Sequence, residues 1–274
     1  MFKVKSDTVK ISVIIPTYRP SDYLIECLES LKAQTLDKDV YEVILVLNGP
    51  EEPYKSRIQA YIDCNCEDLN ICFIYIAVAG VSNARNVALE AANGDYITFI
   101  DDDDWISPDY LKELFQKASP AIVSLCYPLA FYDGENNYFS YSITREYEKN
   151  AYKGKCFFGE ARRYFNGPVY KLIHRDIIGK RRFDVSFQNG EDSLFMFLIS
   201  DRIGEVSFTS ENAVYYRRYR QNSATTQKRS RYKIFVNIIR LICEYSRIYF
   251  TSVIGYNFLF YITRVMAAIK SLKN

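Results

Sequence analysis

The stretch Tyr96-Ile97-Thr98-Phe99-Ile100-Asp101-Asp102-Asp103-Asp104-Trp105 (YITFIDDDDW) runs from five aromatic, β-branched or aliphatic residues straight into four acids. The first five predict a strand buried on both faces, and the acids predict the loop that leaves it. Consecutive carboxylates repel one another. The run is therefore either a solvated loop or the seat of a cation.

Working outward, similar apolar runs occur at 9–15 (VKISVII), 42–47 (EVILVL), 71–78 (ICFIYIAV) and 121–127 (AIVSLCY). Helical segments separate them. Ser21 stands where it can cap a helix that puts Leu24, Cys27, Leu28 and Leu31 on one stripe, and Ser107-Pro108 reads as a second helix start. Alternation of this kind predicts βαβ units, an α/β fold with a mostly parallel central sheet flanked by helices. Ligands of such sheets sit beyond the C-terminal strand ends, where Thr17-Tyr18-Arg19, Asn48-Gly49-Pro50, Gly80-Val81-Ser82-Asn83 and the Asp run would share one crevice. From about Pro128 the pattern loosens into a Tyr-rich region.

The totals fit one large domain with an appendage: 274 residues, 49% apolar, with 24 Tyr and 18 Phe, exclude a disordered tail or linker. From Lys228 onward there are nine Lys or Arg against the single acid Glu244, a balance of +8. Of the chain's 35 basic and 33 acidic residues this leaves 26 and 32, or −6, for the rest. A basic segment on an acidic body suggests an anionic partner surface. The seven cysteines show no paired metal-site spacing, and the first residues lack an apolar signal core, so reduced thiols and a cytoplasmic setting are expected. With His174 the only histidine, catalytic triads and His-rich metal sites are nearly excluded. Chemistry here must run on carboxylates.

Three constellations could carry it. In an extended Asp-x-Asp the side chains of Asp101 and Asp103 share one side, so one carboxylate can meet a ribose and another a hard cation such as Mg²⁺ or Mn²⁺. Gly80-Val81-Ser82-Asn83-Ala84-Arg85-Asn86 reads as a loop entering a helix with a small packing face, and its free N–H groups beside Arg85 suit a diphosphate or a base edge. Glu191-Asp192 opens an apolar helix, where a carboxylate is either a cap or a general base.

Taken in order, Pro16-Thr17-Tyr18, G-x-x-N-A-R-N, apolar-DDDD-W, F-D-x₅-G-E-D (183–192) and Y-R-x-x-S (219–223) resemble the family 2 glycosyltransferases of the GT-A fold, of the bacterial surface-polysaccharide type. The likeness spans roughly residues 10–225. It implies a nucleotide-sugar site at Pro16, Thr17, Tyr18, Asn48, Arg85, Asp101, Asp102 and Arg220, with a Mg²⁺ or Mn²⁺ on Asp101 and Asp103. It also implies Asp192 as general base with Glu191 beside it, and inverting transfer of one sugar, from a UDP-sugar foremost, to a glycan or lipid-linked acceptor. On this reading residues 1–227 form the catalytic domain, with a nucleotide half to about 127 and an acceptor half from about 128.

Two positions depart from the family pattern. Leu47-Asn48 stands where relatives commonly carry a carboxylate pair, and Arg220 where they often carry a histidine near the metal; the Q-x-x-R-W signature of processive synthases is absent. A nucleotidyltransferase and a non-catalytic nucleotide-binding scaffold are the alternatives. In residues 228–274 the polar Lys233, Asn237, Arg240, Glu244, Arg247 and Thr251 recur at helical steps in one narrow stripe. This basic amphipathic extension is expected either to pack on the body or to dock peripherally on an anionic membrane face, with no nucleic-acid partner.

Overall fold

A computed structural model describes residues 9–135, 137–220 and 231–271. Strands β1 (Ile11–Thr17), β2 (Tyr41–Asn48), β3 (Ile71–Ile76) and β4 (Tyr96–Phe99) pair in parallel in the order β3-β2-β1-β4. Short β5 (Trp105–Ile106), then β6 (Ile122–Leu125), β7 (Tyr127–Tyr132), β8 (Tyr138–Phe139) and β9 (Lys155–Phe157) follow, and β10 (Lys171–His174), β11 (Glu205–Phe208) and β12 (Val214–Tyr219) complete the strands. The large sheet runs β3-β2-β1-β4-β10-β6-β11-β9. Only β10 and β9 oppose their neighbours, which makes the sheet mostly parallel as expected.

Helices α1 (Tyr23–Lys32), α2 (Tyr54–Asn65), α3 (Val81–Ala91) and α4 (Tyr110–Lys117) belong to the first half; α5 (Ser142–Asn150), α6 (Arg175–Ile178) and α7 (Glu191–Leu198) to the second; α8 (Arg231–Thr251) and α9 (Phe258–Lys270) end the chain. The stripe Leu24, Cys27, Leu28 and Leu31 is buried as its spacing requires. Strands β1 and β2 are buried along their whole length, whereas β3 is only half-buried because it lies at the sheet edge. Because β1, β2 and β4 run the same way, Thr17, Asn48 and the Asp run leave the sheet at one edge and face one crevice.

Several local expectations are corrected. Helix α4 begins at Tyr110, because the Ser107 hydroxyl is spent on β12, donating to the Asn212 carbonyl and accepting from the Val214 amide. The Asp run is a turn and not an extended strand end, closed by the Asp104 amide on the Asp101 carbonyl at 3.1 Å. Alternation therefore does not govern where its carboxylates point.

The loosened region hides a second sheet, β5-β12-β7-β8. The last two helices pack on the body. Helix α8 buries Ile238, Leu241, Tyr245, Ile248 and Tyr249, and Phe260 of α9 meets Phe158, Phe165 and Phe197 edge-on or tilted. Among the described residues no helix is long and apolar enough to cross a membrane. Ser223 of the last motif, and residues 228–230 and 272–274 of the extension, lie outside the described residues.

Candidate active site

Each acid of the run meets a different partner. Asp101 accepts from Arg85 Nη2 at 3.1 Å, and Asp102 accepts from the Thr17 hydroxyl. Asp103 is paired with Arg220, whose Nε lies 2.7 Å from Oδ2. Asp104 is buried, accepting from the Tyr215 hydroxyl at 2.8 Å and from the Arg218 amide at 2.8 Å. Asp104 thus fastens β12 to the crevice. Two guanidiniums and three hydroxyl or amide donors supply much of the counter-charge that the run demands.

The electrostatic load is not fully relieved. Burial, opposed by the Thr17 hydrogen bond, pushes the Asp102 carboxyl up to about 7. Burial and the neighbouring Asp101 raise Asp103, against the pull of Arg220. Further positive charge would be welcome here. Among the described residues no group of three His, Cys, Asp or Glu side chains stands ready to hold a metal ion. Mg²⁺, however, commonly takes one or two carboxylates and completes its shell with water and substrate phosphates, and Asp101 and Asp103 fit that donor set.

Asp192 joins this cluster from the other half of the chain. It sits in the first turn of α7, and Arg85 Nη1 reaches its Oδ1 at 2.5 Å. Arg85 is buried on α3, its guanidinium 5.4 Å from the Phe183 ring centre, and it bridges Asp101 to Asp192. Burial raises the Asp192 carboxyl above the usual aspartate range, Arg85 opposing. Glu191, the first residue of α7, adds its negative charge to the field around Arg85. The small face of α3 lets the helix approach the sheet: Ala84 and Ala88 are fully buried.

Other expected residues shape the crevice. Asn48 is buried and spends its amide on two loops, donating to the Thr17 carbonyl at 2.7 Å and accepting from the Gly80 amide at 2.8 Å. The Tyr18 ring is half exposed over Gly49, where a Cβ would lie 2.6 Å from the ring, so glycine is required there. Pro16 lies within β1, opposite Val46, and is buried. His174 packs edge-on against Tyr96 and accepts from the Asp176 amide, a structural role.

Sequence reading missed Tyr215, Arg218, Asp133 and Lys171. Arg218 donates to the Asp103 carbonyl, Asp133 and Glu26, under the Tyr23 and Phe131 rings. Lys171 is fully buried, donates to the Gly167 and Val169 carbonyls at 2.6 Å, and is pushed down to about 7 by burial. For Arg218 the signal was the charged pair in VYYRRY (214–219), which a strand buried on one face should not need.

The chain resembles known proteins at every level. It is 27% identical over 219 residues to the putative glycosyltransferase EpsH of Bacillus subtilis, covering 77% of this chain and 61% of that protein. It is 25% identical over 236 residues to a Campylobacter jejuni GalNAc(5)-diNAcBac-PP-undecaprenol β-1,3-glucosyltransferase, covering 85% and 72%. Across the first relatives matched the chain spans between 24% and 61% of their length. Its fold matches the crystal structure of Staphylococcus aureus TarS 1–349 in complex with UDP-GlcNAc at a TM-score of 0.68 and 22% identity, covering 86% of this chain and 66% of that one. Residues 12–182 match the model of glycosyl transferase family 2, and the chain belongs to that family.

Proposed function

We propose that this chain transfers one sugar, with inversion, from a nucleoside-diphosphate sugar to a hydroxyl of a glycan or lipid-linked acceptor. The observation that carries the reading is the bridge from Asp101 through Arg85 to Asp192. It sets a raised, partly accessible carboxylate across the crevice from the acid run. Asp192 takes the acceptor proton as the hydroxyl attacks the anomeric carbon, and the leaving diphosphate departs on the opposite face. Glu191 positions the acceptor, and Arg85 and Arg220 supply charge to the diphosphate. Thr17, Tyr18 and Asp102 line the nucleoside side. Asp101 and Asp103 would hold a Mg²⁺ or Mn²⁺, whose chemistry when bound is to neutralise charge on the leaving group. A UDP-sugar is the expected donor, supported by the relative whose crystal structure holds UDP-GlcNAc.

Calorimetry with UDP, GDP and CMP, paired with a transfer assay on UDP-sugars, tests this reading. Tight binding of UDP alone is expected, and failure of every nucleotide to bind would overturn it.

The C-terminal hairpin is proposed to rest on an anionic membrane. Its outer side exposes Phe235, Ile239, Phe250, Phe258 and Leu259 together with Arg231, Lys233 and Arg247, a pairing of apolar and basic side chains suited to a lipid interface. Salt-sensitive sedimentation with phosphatidylglycerol vesicles is expected, abolished by F250S combined with F258S. Equal sedimentation of the two forms would reject docking.

A further inference from the structure

Four arginines surround the crevice, and three of them meet carboxylates: Arg85 with Asp101 and Asp192, Arg218 with Glu26 and Asp133, and Arg220 with Asp103. Arg217 does not. Among the described residues its side chain has neither an ion pair nor a hydrogen bond, although it is only partly exposed. Its guanidinium lies 5.1 Å from the Tyr219 ring centre and 6.0 Å from that of Tyr141.

The strand register says where this charge points. Tyr215, Arg217 and Tyr219 alternate onto one face of β12. Tyr215 lies at the start of that face, its hydroxyl donating to Asp104 and accepting from the Asp101 amide at 3.1 Å, while Arg218 from the opposite face and Arg220 beyond the strand reach Asp103. Two residues of strand carry Arg217 about 6.7 Å further along the same face. Tyr170 stands beside it, its ring 4.6 Å from that of Tyr215 and held at a left-handed φ of 72°. Beyond Arg217 the face continues as Tyr219, Phe139 and Tyr132, rings stacked or tilted at 5.0–6.0 Å, with Tyr132 53% exposed.

A guanidinium partly desolvated among aromatic rings, with no described carboxylate in ion-pair contact and only the buried Asp104 acting on it at longer range, keeps its N–H donors free for a ligand anion. We propose that Arg217 is the phosphate-binding residue of the acceptor subsite. It takes a phosphate group carried by the acceptor next to the hydroxyl that is glycosylated, while the acceptor's carbon skeleton lies along Tyr219 and Tyr132. A planar fork between rings accepts two phosphate oxygens in parallel, and the rings exclude the water that would otherwise weaken the contact. The donor diphosphate does not reach for it, because Arg85 and Arg220 already stand at the acid run. This rests on the proposed glycosyl transfer and adds the chemical class of acceptor. It is in keeping with relatives named for teichoic acid biosynthesis and for a poly(ribitol-phosphate) acceptor.

The test uses the full chain saturated with UDP, so that the donor site is filled, and titrates it with ribitol 5-phosphate and with ribitol. The phosphate ester is expected to bind wild type clearly better than the polyol. R217Q is expected to weaken it by about tenfold or more, the difference made by one lost charged hydrogen-bonding contact, with ribitol and UDP binding unmoved. R217K, which keeps the charge and loses the fork, should fall between. Equal binding of the ester to wild type and R217Q overturns the proposal, as does any result in which the ester has no advantage over ribitol. Thermal melting of both variants within a few degrees of wild type shows that the fold is kept, and a Y219A variant with intact melting and the same selective loss supports the subsite should R217Q melt early. Loss of UDP binding in wild type would strike the donor reading instead, so the two failures are distinguishable.

Discussion

Arg85 Nη1 lies 2.5 Å from Asp192 Oδ1, and this contact ties the two halves of the chain together across more than a hundred residues of sequence. The same guanidinium holds Asp101, so Asp192 and the acid run are positioned by one side chain. Arg85→Met should leave Asp192 in a poorly solvated place without its cation. Breaking such a pair costs about 3–5 kcal/mol when fully buried, and the lower end is expected because part of the Asp192 side chain still meets solvent. Urea denaturation checks it; a change below about 1 kcal/mol would show that the bridge is not structural.

Asp192→Asn should keep UDP binding and slow sugar transfer by on the order of 10²-fold or more. The same residue sets a pH limb. A base must be deprotonated, and burial raises Asp192 above the ordinary aspartate range, so wild-type kcat/KM should fall with acid sooner than an unperturbed carboxylate would allow. A limb at the ordinary aspartate value, or an identical limb in Asp192→Asn, would remove it from that role.

Chelation probes the acid run. If Asp101 and Asp103 hold a divalent ion as proposed, EDTA and Asp103→Asn should each weaken UDP binding, and together should do no more than either alone. Additive losses would mean that Arg220, paired with Asp103, carries the diphosphate by itself.

Lys171 gives a stability signature. Its amine is pushed down to about 7 in the fold, against roughly 10.4 in an unfolded chain. Between those values the unfolded chain binds more protons, so the folded state gains stability as pH rises through that window, and the full penalty remains below it. Relative to Lys171→Met, wild type should gain on the order of 2 kcal/mol from pH 7 to pH 9. Parallel denaturation midpoints at the two pH values would show that the amine stays charged.

The first half of the fold was legible because β1 and β2 are buried on both faces and announce themselves as uninterrupted apolar runs, and because Leu24, Cys27, Leu28 and Leu31 keep helical spacing. The second half was not, since β8 and β9 are two or three residues long, too short for any period to show. Of the site, Asp192 and Arg85 could be found as members of ordered motifs. Their contact could not, and neither could the fate of Asp104: its four-acid context hid a buried carboxylate that anchors β12 through Tyr215. Arg217 and Arg218 are adjacent in sequence and indistinguishable there. Only the alternation of β12 sends one to Asp133 and Glu26 and the other to the rings.

Gly190, the residue before Glu191, has φ 83°, and a Cβ there would lie 2.7 Å from Leu241 of α8. Asn237 donates to the Asn189 carbonyl, Arg240 to the Ser186 hydroxyl, and Tyr245 shares a hydrogen bond with Ser193. The C-terminal hairpin therefore works as a lever on the turn that aims Asp192. Cutting the hairpin away would thus remove the packing and hydrogen bonds that hold the 186–193 turn, and with it the placement of Asp192.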